Sequence, residues 1–215
     1  DWLMDFLVHG ASETRGAFQF ETAQPKKNLL QEILLLFNSS STNTSTSSKV
    51  NSFVIRFLHQ LSSVDKGGLC VSNGVLSWCA QHLVEPTVLS DGERDSFLQI
   101  LTRIVESYSL RSMADPTSLV NQIHSVIRVA LTLPMSNQLV IVLLHRCFTF
   151  IHRLLNCGIA KQELRNKQFI DIQSLKTLID AIDHQSYASV EPGLEVVILS
   201  TLTVPSLSSH DATLV

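Results

Sequence analysis

The chain has 215 residues, of which 45% are hydrophobic and only 16% charged, with a net charge of −3 and a pI near 6.2. This composition suits a packed globular core and carries no global signal for nucleic acid or an anionic membrane surface. So few charges require most faces to be covered, and 8 Gly with 6 Pro are too few for many short strands joined by tight turns.

Taken in chain order, Trp2 to Val8 and Lys26 to Phe37 predict helices, so residues 1–25 read as an N-terminal helix and loop. Residues 38–49, NSSSTNTSTSSK, carry no hydrophobic side chain and separate two strongly apolar runs. Ser, Thr and Asn compete with helical hydrogen bonds and favour turns, so the stretch is expected to be a long flexible surface loop. Asn38-Ser39-Ser40 and Asn43-Thr44-Ser45 fit the glycosylation sequon, and the Ser/Thr cluster offers hydroxyls for phosphorylation. A tolerated loop insertion is preferred to either.

Val54, Phe57, Leu58 and Leu61 then mark a helix near 50–63, and Val75 to Val84 a short one. In DSFLQILTRIVESY at 95–108, Phe97, Leu101, Ile104, Val105 and Tyr108 share one helical stripe, with Asp95, Gln99, Thr102, Arg103 and Glu106 opposite. Ser90-Asp91-Gly92-Glu93 before it reads as a capping box. Asp115-Pro116 opens the next helix, which Leu119, Ile123, Val126, Ile127 and Ala130 continue until Pro134. A third long helix from Ser136 to Cys157 is apolar nearly all round, with a narrow polar strip at Gln138, His145, Thr149, His152 and Asn156. Gly158 supplies its stop. Ile172, Leu175, Leu178, Ile179 and Ile182 mark a further helix, and residues 190–203 the last, although EVVILSTLTV at 195–204 has strand-like β-branching. Residues 204–215 read as a flexible tail.

Helix pairs therefore begin near residues 49, 91 and 136, with partners near 72, 116 and 171, a step of roughly 42–45 residues. Over about 26–203, with SDGERDSFLQILTRIVESY and DPTSLVNQIHSVIRVAL as its clearest pair, the chain resembles armadillo and HEAT helical-repeat proteins. That resemblance implies an all-α fold of stacked antiparallel helix pairs, an α-solenoid segment acting as a protein-binding scaffold. An irregular helical bundle is the alternative, and the insert GIAKQELRNKQF at 158–169 departs from the repeat.

Catalytic signatures are missing: there is no G-x-G-x-x-G, no phosphate loop, no G-x-S-x-G and no H-E-x-x-H. A non-enzymatic role with no cofactor is expected. His145, Cys147, His152 and Cys157 cannot converge on one tetrahedral zinc ion, because each helical residue advances ~100°, so no metal site is expected either. The cysteines at 70, 79, 147 and 157 contain no C-x-x-C pair and follow no secretory leader, which points to reduced, mostly buried thiols inside the cell, nucleus or cytoplasm undistinguished. The acidic pairs Asp91/Asp95 and Asp180/Asp183 lie near helix ends and read as surface or dipole charges rather than acid–base couples. The longest wholly apolar run, LVIVLL at 139–144, is too short to span a membrane, which takes about 20 such residues.

Charge is uneven. Residues 140–177 hold Arg146, Arg153, Lys161, Arg165, Lys167 and Lys176 against Glu163 and Asp171, a local +4 within the total of −3, leaving −7 elsewhere. His145, Arg146, Thr149, His152 and Arg153 are the expected partner-binding residues, and an acidic peptide is the partner chemistry that fits them. The alternative is nucleic acid backbone on the same basic ridge, as in a chromosome-associated or meiotic recombination scaffold. The chain opens at Asp1, so a larger parent protein is expected. At its other end Thr213-Leu214-Val215 resembles the carboxylate motif that PDZ domains capture, which marks Thr213 and Val215 as a possible peptide ligand.

Overall fold

The computed structural model describes residues 29–39, 44–64, 68–84, 89–108, 116–156 and 180. The expected helices at 2–8 and 190–203, the strand-like 195–204, the helix near 172–182 apart from Asp180, and the tail with Thr213 and Val215 lie outside these residues. Among the described residues there are seven helices and no strand: α1 Leu29–Ser39, α2 Thr44–Val64, α3 Gly68–Ser72, α4 Val75–Val84, α5 Asp91–Ser107, α6 Pro116–Ala130 and α7 Gln138–Asn156. The chain forms two compact units, residues 1–112 and 113–215.

In the first unit α2 packs on α1 and α5, and α4 packs on α5 and α3. Val54, Phe57, Leu58 and Leu61 of α2 are fully buried, as are Phe97, Ile100, Leu101 and Ile104 of α5. Each such side chain contributes about 1.5–3 kcal/mol by leaving water. The buried stripe of α5 is wider than its spacing predicts, since Leu98 and Ile100 join the five expected residues. A helix covered on two sides, by α2 and by α4, needs more than one apolar stripe.

The capping box forms as expected. Ser90 Oγ accepts from the Glu93 backbone N–H at 3.4 Å, and Glu93 Oε2 accepts from the Ser90 N–H at 2.9 Å and its hydroxyl at 2.8 Å. These bonds satisfy donors that the first turn of α5 leaves orphaned. Ser90→Ala is expected to destabilise the chain by about 1 kcal/mol, read as a lower denaturation midpoint at unchanged slope.

Residues 38–49 are not one long loop. α1 continues to Ser39 and α2 begins at Thr44, so residues 38–39 and 44–49 are helical. The polar residues start a helix whose later turns enter the core. A polar opening turn can be helical without an apolar period, so periodicity alone cannot reveal it. α3 was not anticipated. It is a five-residue segment, too short for a period, and it ends where Gly74 takes a φ of 72°. Asn73 secures that end by donating its backbone and side-chain N–H groups to the Leu69 carbonyl, at 3.0 and 2.9 Å. The left-handed conformation suits glycine because it lacks a Cβ.

In the second unit α6 packs on α7. Leu119, Val120, Ile123, Val126, Ile127 and Ala130 of α6 are buried. The turn between them ends on Asn137, whose side chain accepts from the Leu139 N–H at 2.9 Å and caps α7. Among the described residues, no helix is long and apolar enough to cross a membrane.

Candidate functional site

Of the two described helices in the second unit, α7 is the more deeply covered. Val140, Ile141, Leu143, Leu144, Cys147, Phe148, Phe150, Ile151 and Leu154 are buried to 2% exposure or less. At ~100° per residue, the positions left uncovered between Gln138 and Arg153 all fall in one arc of roughly 140°. His145, Arg146, Thr149, His152 and Arg153 occupy that arc, so the five expected residues do share a face. Their exposure differs from that of an open ridge: His145, Arg146, Thr149 and His152 are half-buried, and Arg153 alone is exposed.

Thr149 lies at the centre of the arc. Threonine and serine on the other helices return their hydroxyls to the carbonyl one turn back, as Thr102 does to Leu98 at 2.8 Å and Ser107 to Arg103 at 2.7 Å. Thr149 Oγ1 is buried and makes no hydrogen bond. An unmade bond at a buried hydroxyl costs about 1–3 kcal/mol, and an outside group reaches this atom only when what covers it moves.

Cys147 points away from this arc into the core, and burial pushes its thiol far up. Cys79 is raised for the same reason, with neighbouring Cys70 as the smaller cause. Cys70, Cys79 and Cys147 are all buried and outside any disulfide, while Cys157 lies outside the described residues. Among the described residues, no group of His, Cys, Asp or Glu is arranged to hold a metal ion.

Two clusters in the first unit were not anticipated. Phe37, Trp78, His82 and Phe97 bring α1, α4 and α5 together through edge-on and tilted rings, with Phe37 5.1 Å from Trp78 and Trp78 4.3 Å from His82 between centroids. His82 Nδ1 lies 2.9 Å from the Trp78 carbonyl, which requires Nδ1 to carry the proton. The second cluster joins α5 to the last turns of α2. Arg103 Nη1 donates to Ser63 Oγ at 2.5 Å, to the His59 carbonyl at 3.4 Å and to His59 Nδ1 at 3.3 Å. His59 and Ser63 are one turn apart on an apolar helix, which is a local signal, but Arg103 stands 44 residues further on and only the packing of α2 on α5 joins them.

Comparison of the chain with protein-family models, curated proteins and solved structures finds no match, so the functional reading rests on the chain's own residues.

Proposed function

We propose that this chain is a non-enzymatic protein-binding scaffold, a segment of an armadillo- or HEAT-like stack, and that the polar arc of α7 receives an acidic peptide. The spacing of the helices supports the repeat reading. α2, α5 and α7 start at residues 44, 91 and 138, 47 apart each time, within the period of such repeats. The observation that carries the binding reading is the arc itself. A helix buried on every other side leaves one mostly polar seam, interrupted by Leu139 and Val142, with two arginines seven residues apart and an unsatisfied Thr149 hydroxyl between them. Carboxylates suit that seam, because guanidinium groups bind them through charge-assisted hydrogen bonds.

The test is capture from cell extract, with and without nuclease, by the wild-type chain, Arg146→Glu/Arg153→Glu and Thr149→Val. The double charge reversal is expected to lower capture of a specific protein at least tenfold, and to do so with nuclease present. Thr149→Val is expected to leave folding stability unchanged or raise it by up to about 1 kcal/mol, since it removes an unsatisfied buried hydroxyl, while weakening capture. Equal capture by all three chains would remove the site. Retention that disappears with nuclease and falls steeply with salt would transfer the arc to the nucleic-acid reading.

A further inference from the structure

The contact between α2 and α5 has a chemical asymmetry. Arg103 is a permanent cation, and the partners it meets on α2 are Ser63 Oγ, the His59 carbonyl and the His59 ring nitrogen, with no carboxylate among them. The His59 carbonyl is heavily used: it accepts from Ser62 Oγ at 2.9 Å and Ser63 Oγ at 3.0 Å as well as from Arg103. A guanidinium can only donate. Nδ1 of His59, 3.3 Å from Arg103 Nη1, must therefore be the unprotonated nitrogen of a neutral ring, with the proton on Nε2. Adding a proton at Nδ1 would set N–H against N–H and cation against cation at that distance.

We propose that this contact is a proton-operated latch: Arg103 of α5 grips the last turns of α2 while the His59 ring is neutral, and acidification releases it. The grip is peripheral to the apolar core. Leu58, Leu61, Ile100 and Ile104 stay fully buried beneath it, so release loosens the end of α2 without separating the helices. Opening leaves a freed guanidinium beside a new imidazolium, and that end of the unit becomes more basic as pH falls.

The electrostatics agree in sign. Burial holds His59 below its ordinary value of 6.5, and the Arg103 charge adds to the same effect. Among the described ionisable groups on the packed helices α1, α2 and α5, which include Glu32, Arg56, Asp95 and Glu106, Arg103 is the one whose charge acts on the ring. The unfolded chain thus takes up the proton more readily than the folded one. The latch contributes its stability above the unfolded value and loses it as pH falls through the lowered folded value.

The test is nitrogen-15 NMR of the labelled full chain from about pH 8 to about pH 4, with amide exchange in the last turn of α2 corrected for its intrinsic pH dependence. At neutral pH the His59 ring should be the Nε2–H tautomer. Arg103→Met should raise the His59 pKa, because one of its two causes is gone, whereas Ser63→Ala should leave it in place. Corrected exchange in the last turn should speed up severalfold on acidification in wild type and lose that dependence in His59→Gln, which keeps an acceptor that cannot titrate. An Nδ1–H tautomer at neutral pH would overturn the latch. So would an unchanged titration in Arg103→Met, or an acid response that persists in His59→Gln. If Arg103→Met fails to fold, the wild-type tautomer and the His59→Gln exchange decide the matter alone.

Discussion

Phe97→Ala is expected to destabilise the first unit by about 3–5 kcal/mol. Phe97 is fully buried on α5, and its ring lies 5.8 Å from Phe37 and 5.7 Å from Trp78. Truncation removes contacts with α1 and α4 at once. Those helices are also held elsewhere, α1 by α2 and α4 by α3, so they cannot collapse freely into the space left behind. Aromatic pairs at such distances add about 0.5–1.5 kcal/mol beyond area burial. Denaturant unfolding followed by tryptophan emission measures the loss, because Trp78 is itself a cluster member. The exposed Gln99, two residues along the same helix, is the control: Gln99→Ala should fall within about 0.5 kcal/mol of wild type. A loss below about 1 kcal/mol for Phe97→Ala would mean the cluster does not pack as described.

Thiol labelling of native protein should modify Cys70, Cys79 and Cys147 at least about a thousandfold more slowly than labelling of the denatured chain, since these sites react only on opening. All three are fully buried, and the thiolate is the reactive species. Burial raises Cys79 and Cys147 far above the ordinary thiol range, so raising the pH over the mildly alkaline range should not by itself restore their reactivity. Mass spectrometry of the labelled peptides reads each site separately. Cys70 and Cys79 report opening of the first unit, and Cys147 opening of the second. Fast native labelling of Cys147 would show that the core face of α7 is not covered and that the helix has more than one open face.

How far the sequence leads varies from element to element. α5 could be read almost completely, from the Ser90 capping box to Tyr108, because its stop and start chemistry is local and its apolar stripe is long. α6 could be read equally well: the five apolar residues its spacing marks are all buried. The polar stretch at 38–49 misled, because a polar composition describes what a segment lacks for packing and not whether its backbone bonds are helical. The candidate arc on α7 could be placed on one face from spacing alone. Its half-buried state could not, since the depth of a side chain depends on what covers its helix.

Outside residues 44–49 and α3, the sequence by itself determined the helical class of the described residues, with the Ser90 cap of α5 and the apolar faces, because these follow from interactions within about four residues along the chain. Tertiary structure alone decided which faces meet. The guanidinium of Arg103 found His59 and Ser63 across 44 and 40 residues of chain, and three rings from two other helices closed around Phe37. Neither arrangement has a local signature, because burying apolar surface is non-directional: it brings helices together and leaves shape and hydrogen-bond geometry to select the partners.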